Sequence, residues 1–183
     1  AAAICFGTEG VIAEVIGGAG STAEFTDRWR APGDKSSKQW EERFGEYAYA
    51  PLVDNAFGDA LKGANLAPGD INHAIFSGLH TRAVKASVKA CGVNPESVVD
   101  DLSALIGNPG TAQWGVLLAD VLDRAEPGQV IAVVILADGV NVWLLRVTDA
   151  ITAYRARQDK SLTVRAQVEA CLLYTSPSPR DLS

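Results

Sequence analysis

The chain has 183 residues, of which 48% are apolar, and its mean hydropathy of +0.08 is sufficient for the core of one domain. A net charge of −6 and a pI of about 4.9 exclude nucleic acid as the main partner, because phosphate binding requires a basic surface. No apolar run approaches the roughly 18 residues of a membrane span, and the three widely spaced cysteines form neither a metal motif nor a disulfide framework. We therefore expect a cytoplasmic protein without a bound metal.

The beginning of the chain is predicted to form two strands. Residues 1–7 and 11–16 are apolar and strand-like, and Thr8-Glu9-Gly10 forms the turn between them. The glycine-rich stretch 17–20 lacks the spacing of a phosphate loop or a dinucleotide fingerprint. We interpret it as a bulge or turn that ends the second strand.

Two helices are predicted after a polar loop. A short helix over residues 38–47 would place Trp40 and Phe44 on one face. Pro51 is suited to the first turn of a second helix, in which apolar residues recur at helical spacing.

The second part of the chain alternates strands with helices. Apolar strands that alternate with helices predict an α/β fold, in which a mixed sheet carries helices on both faces. The predicted elements are a buried strand at 71–76, a helix at 79–90, a short strand at 98–102, a helix at 114–122, and an antiparallel hairpin of strands 129–136 and 140–147.

The end of the chain differs from its interior. Residues 155–170 are polar and basic and are predicted to be a solvated linker. Pro177 and Pro179 disfavour regular structure, and residues 171–183 resemble a translated sequencing adapter. Since the sequence also lacks methionine, we expect residues 1–170 to be an interior fragment followed by a non-native, disordered tail. An ordinary disordered C-terminus is the alternative.

The stretch Ile106–Gln113, with the sequence Ile-Gly-Asn-Pro-Gly-Thr-Ala-Gln, is a candidate binding site. It places the amide of Asn108 on a tight turn at the mouth of a helix, where free N–H groups and the helix dipole favour a polar ligand group. The amide can donate a hydrogen bond to a developing oxyanion. An ordinary turn before a helix start fits the same residues, so both interpretations remain open.

The chain contains only two histidines, which limits acid–base chemistry. His73 lies within a predicted strand and is interpreted as structural. His80 lies at the mouth of a helix beyond the carboxyl end of that strand, where sheets of this class bind ligands. It is a candidate acid/base or carbonyl donor, with a solvent-facing histidine at the helix start as the alternative.

Three further residues carry side chains that could take part in chemistry. Arg82 is a candidate phosphate ligand, although a solvated helix residue explains it equally well. Cys5 and Cys91 have no basic neighbour and no helix N-terminus to lower the pKa of the thiol, so both are expected to be poor nucleophiles.

In order and spacing, these segments resemble the thiolase superfamily. The most similar branch contains 3-hydroxy-3-methylglutaryl-CoA synthase and 3-oxoacyl-(acyl-carrier-protein) synthase III. No single motif is diagnostic. The resemblance is carried by Ala1–Ile4, Glu24–Arg30, Trp40–Phe44, Asp70–Arg82 and, most clearly, Gly107–Val147.

The resemblance implies a fold and an activity. Members of the superfamily have a five-layered αβαβα fold of two similar halves, of which residues 1–154 would be mainly the carboxyl-terminal one. They form carbon–carbon bonds between acyl thioesters, so the parent protein would be an acyltransferase with acyl-CoA as substrate and no separate cofactor. The family's nucleophilic cysteine would lie upstream of Ala1.

The resemblance also implies roles for individual residues. Asn108 corresponds to the asparagine that binds the thioester carbonyl, and Arg82 corresponds to an arginine near the CoA phosphates. The family's histidine falls at Ser77, and the only candidate imidazole here, His80, lies three residues further on. Either His80 reaches the site through a rearranged loop, or the proton-transfer chemistry differs, or the subfamily is inactive. Gly139 is what remains of a glycine-rich turn, and it is assigned with Ser77 to substrate binding.

Two other functions remain possible at this stage. A catalytically degenerate thiolase-fold subunit would bind CoA or a protein partner without chemistry, and an unrelated α/β binding domain is the third interpretation. The resemblance further implies a homodimer and, in some members, an OB-fold/zinc-ribbon partner or fused domain.

Overall fold

A four-stranded mixed sheet lies between two layers of helices. The computed structural model describes residues 1–26, 28–39 and 41–175; Asp27, Trp40 and most of the predicted tail, residues 176–183, lie outside this description. The elements in chain order are β1 (Ala13–Ser21), β2 (Arg28–Trp29), β3 (Lys38–Gln39), α1 (Glu42–Ala64), β4 (His73–Gly78), α2 (Thr81–Ala90), α3 (Ser103–Ile106), α4 (Gln113–Leu122), β5 (Val130–Leu136), β6 (Val140–Val147), α5 (Ala150–Arg157) and α6 (Val164–Thr175).

The strands of the main sheet follow the order β1-β6-β5-β4. β6 is antiparallel to both β1 and β5, whereas β4 and β5 are parallel. The predicted α/β class and the predicted terminal hairpin of β5 and β6 are therefore confirmed. The short strands β2 and β3 form a separate antiparallel ladder.

Alternate residues of the central strand β5 face different helix layers. Ala132 and Val134 belong to a core formed with α1 and α2, whereas Ile131 and Val133 belong to a core formed with α4 and α5. Because both faces are covered, the strand is apolar along its whole length, with the sequence Val-Ile-Ala-Val-Val-Ile-Leu. In the described part of the chain, no helix is both long and apolar enough to cross a membrane.

The prediction of a strand over residues 1–7 is wrong. These residues form an exposed irregular segment that pairs with none of the described strands. The first strand is Ala13–Ser21, so the predicted strand at 11–16 is displaced and extended. The predicted strand at 98–102 is reduced to a single parallel bridge between Val98 and Ala74.

The glycine-rich stretch 17–20 continues the first strand, contrary to the prediction that it ends the strand. A bulge lies between Val15 and Gly17, as the residue type suggested. A Cβ atom on Gly17 would lie 3.1 Å from the Cβ of Ala64 in α1, and one on Gly18 would lie 2.9 Å from the Val142 carbonyl oxygen. The glycines therefore allow β1 to approach both α1 and β6 closely.

The two helices predicted around Pro51 are one helix, α1. A proline within a helix removes the hydrogen bond to the carbonyl four residues earlier, here that of Tyr47. Pro51 and Tyr47 are both exposed, so this loss falls on the solvent side. The buried face from Tyr49 to Leu61 continues past the proline without interruption.

Residues 155–170, predicted as a solvated linker, contribute to α5 and α6. The Arg155 guanidinium donates to the carbonyl oxygens of Leu122 and Ala125 at the end of α4. The carboxylate of Asp123 accepts from the backbone N–H of Val164, the first residue of α6. These basic and polar groups therefore bind the end of α4 rather than solvent.

Asp120 connects α4 to α6. Its side chain is fully buried and accepts from Arg165 Nε at 2.8 Å and from Arg124 at 3.2 Å. Asp120→Asn keeps the shape but removes the charge and directs an amide donor toward arginine. Because both arginines are 44% exposed, we expect a loss of about 1–2 kcal/mol of unfolding free energy, measured by urea denaturation. Asp59→Asn, on the exposed face of α1, is the control; equal midpoints for the two variants would contradict this account.

His73 provides a pH-dependent contribution to stability. Burial lowers the pKa of His73 from its ordinary value of 6.5, a hydrogen bond with Gln129 raises it, and the charge of Arg124 lowers it further. The unfolded chain therefore binds a proton more readily, so stability falls as the pH falls below about 6.5. Denaturation midpoints of the wild type between about pH 7.5 and 5.5 should decline more than those of His73→Gln. Parallel curves for the two proteins would show that His73 does not contribute.

Candidate functional site

The carboxyl ends of β4 and β5 meet at one edge of the sheet. Gly78 pairs with Leu136, so the loop after β4 and the turn between β5 and β6 begin side by side. α4 packs across both strands and is joined to the start of β5 at the opposite edge, so its N-terminus also lies at this carboxyl edge. The structure thus brings Ser77, His80 and Asn108 to one edge, although not to one face of the sheet.

Asn108 lies on a turn between α3 and α4. Gly107 and Gly110 have positive φ angles of 67° and 69°, which favour glycine at both positions. The Oδ1 atom of Asn108 accepts a hydrogen bond from the Gly110 backbone N–H at 2.8 Å. This bond fixes the orientation of the amide and leaves its NH₂ group as the donor toward a ligand. The turn interpretation and the binding-site interpretation are therefore compatible.

Gln113 is the first residue of α4, and its side chain binds the preceding loop. Its Nε2 atom donates to the Asp101 carbonyl at 2.6 Å, and its buried Oε1 atom has no hydrogen-bond partner among the described residues. The sequence reasoning did not select Gln113 as a functional residue. Its place as the last residue of the Ile106–Gln113 motif was the only feature that pointed to it.

Ser77 faces α4. Along β4, Ala74 and Phe76 belong to the core beneath α1 and α2, whereas Ile75 belongs to the core beneath α4. Ser77 follows Ile75 on the same face, and it pairs with Ile135, which packs against the α4 core. Ser77 and the turn that carries Asn108 therefore lie on the same side of the sheet.

His80 faces the other side. It precedes the first residue of α2, and its Nδ1 atom accepts from the Ala83 backbone N–H at 3.4 Å. The ring is only 6% exposed and lies so close to Gly45 that a Cβ atom there would overlap His80 Nε2. The structure therefore buries His80 between the first turns of α1 and α2 and does not bring it to Asn108. The interpretation of a solvent-facing histidine is wrong.

Two arginines flank the loop after β4. Arg82 Nε donates to Glu46 at 2.7 Å in a half-exposed ion pair. Arg28, which the sequence reasoning did not select, donates to the Leu79 carbonyl at 3.3 Å and connects β2 to this loop. Arg82 thus has a carboxylate partner at the position where a phosphate was expected.

Gly139 lies in the turn between β5 and β6. A Cβ atom at this position would lie 3.1 Å from the Ser21 carbonyl oxygen, and the φ angle is 150°, so the close contact with β1 already explains a glycine. The Asp138 backbone N–H donates to the hydroxyl of the buried Tyr49 at 3.1 Å. The turn is therefore packed against β1 and α1.

An open cavity of about 570 Å³ adjoins the N-terminus of α4. Trp114 and Trp143, whose ring centroids are 6.2 Å apart, form part of its wall, and the segment 1–6 covers one side. The lining of the cavity is mainly apolar. Thr111, which follows the Asn108 turn in sequence, is one of the residues that line it. The cavity is large enough for part of an extended small molecule.

His73 and Cys91 are not among the residues that line this cavity, whereas Cys5 lies in the segment that covers one side of it. His73 begins β4 at the opposite edge of the sheet, and its Nε2 atom lies 2.9 Å from Gln129 Oε1. Burial, assisted by Asp54, raises the pKa of the Cys91 thiol to about 12, which keeps it protonated. Cys5 is exposed. Among the described residues, no group of three or more metal-binding side chains is present.

The contact of His80 with Gly45 gives a test of the arrangement. We expect Gly45→Ala to lower the unfolding free energy by about 1–3 kcal/mol, because the new methyl group would displace the imidazole. Gly58→Ala is the matched control in the same helix, since nothing lies within 4 Å of its Cβ position. It should gain roughly 0.5–1 kcal/mol. Thermal denaturation of both variants measures the difference, and a stabilised Gly45→Ala protein would refute the contact.

Comparison with curated proteins identifies relatives named hydroxymethylglutaryl-CoA synthase. The hydroxymethylglutaryl-CoA synthase of Pyrobaculum neutrophilum is 29% identical over 170 residues, which cover 91% of this chain and 48% of that protein. The Aeropyrum pernix protein of the same name is 32% identical over 128 residues, which cover 68% and 36%. The chain spans about half the length of the curated relatives it matches. No protein-family model matches it.

Comparison with solved structures identifies the fold. The 3-oxoacyl-[acyl-carrier-protein] synthase III of Aquifex aeolicus has a TM-score of 0.63 at 14% identity, covering 76% of this chain and 46% of that one. MvaS in complex with 3-hydroxy-3-methylglutaryl coenzyme A has a TM-score of 0.57 at 16% identity, covering 85% and 46%. Together with the curated relatives, these matches show a thiolase-like fold in a chain that is similar to hydroxymethylglutaryl-CoA synthase and 3-oxoacyl-[acyl-carrier-protein] synthase III.

Proposed function

We propose that the chain is part of a hydroxymethylglutaryl-CoA synthase-like acyltransferase that condenses acyl-CoA thioesters without a separate cofactor. The observation that carries this proposal is the Asn108 amide, which its bond to Gly110 orients as a donor at the N-terminus of α4. Similarity to hydroxymethylglutaryl-CoA synthase over 91% of the chain supports the substrate class.

The proposed chemistry uses Asn108 to polarise the thioester. Its amide donates to the carbonyl oxygen, and the positive end of the α4 dipole stabilises negative charge that develops on that oxygen. The buried Cys91 thiol, with a pKa of about 12, is unsuited to attack, and Cys5 has no basic neighbour in sequence to activate it. As the resemblance implies, we therefore assign the nucleophilic thiol to a part of the protein upstream of Ala1. The apolar cavity beside Trp114 holds the acyl chain.

The other candidate residues have weaker support. Contact of Arg82 with a CoA phosphate requires exchange of its partner Glu46, which is feasible because a half-exposed ion pair contributes little free energy. An acid/base role for His80 requires its ring to leave Gly45, so we favour a positioning role at the start of α2. Gly139 would contribute only the shape of the turn.

The assembly proposed for the whole protein is the one that the resemblance to the thiolase superfamily implies. It comprises a homodimer and an OB-fold/zinc-ribbon partner or fused domain, in the cytoplasm. Residues 1–154 would form the carboxyl-terminal half of the fold, and residues 155–170 would connect it to the next module.

Substitution of Asn108 tests the proposal in the complete protein that contains this chain. We expect Asn108→Ala to lower kcat about 10²–10³-fold, the effect of removing one oxyanion donor. Release of free CoA thiol during condensation is the measurement. Asn94→Ala is the matched control, because Asn94 makes the same kind of turn, with its Oδ1 accepting from Glu96, away from the carboxyl edge. Unchanged activity of Asn108→Ala would refute the role of Asn108.

The second candidate function is a degenerate subunit that binds acyl-CoA without chemistry. The observation that favours it is that Ser77 stands on the α4 side of the edge, while the imidazole of His80 is buried on the other side. Equilibrium binding of acyl-CoA without any release of thiol would establish this function instead.

A further inference from the structure

We propose that Arg165 of α6 is a positioning residue for the α3 loop (residues 100–112), which carries Asn108. The inference rests on the proposed function and deepens it, because it connects the helix at the end of the chain to the shape of that loop. It follows from the ion pair that holds α6 on α4, from the packing of α6 on α3, and from the backbone of the α3 loop itself.

A buried charge holds α6 on α4. The side chain of Asp120 is fully buried, and Arg124, four residues later in the same helix, lies 3.2 Å from one of its oxygens. Arg165 donates to both oxygens, through Nε at 2.8 Å and through a terminal guanidinium nitrogen at 3.3 Å. Removing one partner of a buried carboxylate is costly. Arg165 therefore fixes the position of α6 along α4.

The docked helix also contacts the α3 loop. α6 packs against α3 as well as α4, and α3 ends two residues before Asn108. The hydrogen bond to Asp120 raises the pKa of the Arg165 guanidinium, burial lowers it, and the charges of Asp120 and Asp100 raise it further. The Asp100 carboxylate, at the start of the α3 loop, is therefore close enough to Arg165 for the two charges to attract each other.

The first residues of the α3 loop need support from their neighbours. Leu102 has a φ angle of 56°, a left-handed conformation that a leucine disfavours. Its side chain is buried in the same core against which Val164, the first residue of α6, packs. The Asp100 carboxylate accepts from the Leu102 N–H at 3.0 Å. A strained residue persists only where the surrounding structure fixes it, and α6 supplies part of that structure.

The two ends of the α3 loop are joined to each other. Gln113, the first residue of α4, donates from Nε2 to the Asp101 carbonyl at 2.6 Å. The residues between them, which include α3 and Asn108, are thus closed into one body. A displacement of Leu102 or of α3 therefore also displaces the Asn108 amide, although the amide loses none of its own contacts.

The test compares variants of Arg165 in the complete protein. Arg165→Leu removes the guanidinium, and Arg165→Lys retains a positive charge. We expect Arg165→Leu to accelerate amide hydrogen exchange over residues 100–112 about ten-fold, with a smaller change over β5 and β6. We also expect kcat to fall about ten-fold with little change in KM, and Arg165→Lys to recover most of both effects.

Arg157→Leu is the matched control. Arg157 is exposed on α5, and its Nε atom donates to the Ala153 carbonyl of its own helix. Its loss should change neither the exchange of the α3 loop nor kcat.

The outcomes separate this inference from the proposed function. Unchanged exchange of the α3 loop in Arg165→Leu would overturn the inference, and so would an equal acceleration over β5 and β6, which indicates a loss of global stability alone. A wild-type kcat for Arg165→Leu, with Asn108→Ala impaired, would overturn the role of Arg165 and leave the proposed function intact. If Asn108→Ala is as active as the wild type, the proposed role of Asn108 fails, and hydrogen exchange alone decides whether Arg165 positions the loop.

Discussion

Burial of β5 on both faces is the constraint on which the rest of the structure depends. A strand whose two faces are apolar must be covered by helices from two directions, because neither face can be left to water. α1 and α2 cover one face, and α4 and α5 cover the other. The connections between these helices and the parallel strands then bring loops from both layers to the same carboxyl edge.

The polar groups at the carboxyl edge of the sheet fall into two sets, one in each helix layer. The α4 layer contributes the Asn108 amide and the Gln113 side chain, and Ser77 faces this layer. The α1 and α2 layer contains His80 and the ion pair of Arg82. The first set consists of uncharged hydrogen-bonding groups beside an apolar cavity, whereas the charged and imidazole groups lie on the far side of the sheet. The uncharged donors and the ion pair therefore lie in separate layers.

Local sequence patterns correctly predicted the elements that pair or pack with segments nearby in the sequence. The run Val130–Leu136, its hairpin and the helix after Asn108 follow from apolar length and turn residues. Residues 1–7 have a similar apolar character but pair with none of the described strands. The glycine-rich stretch 17–20 forms a strand that lies close to α1 and β6. The separation of Ser77 from His80 depends on where β4 ends and α2 begins. Ser77 and His80 are only three positions apart in the sequence. Their placement on opposite sides of the sheet can be predicted only when that boundary is known.

The helix α1 is held at both ends by contacts with glycine. Gly45 meets His80 near its beginning, and Ala64 meets Gly17 at its last turn. Nineteen residues separate these contacts, which at the rise of an α-helix is about 28 Å. The length of α1 therefore sets the distance between β1, an outer strand of the sheet, and the loop that follows β4. Insertion or deletion of a residue within α1 would misplace one contact or the other.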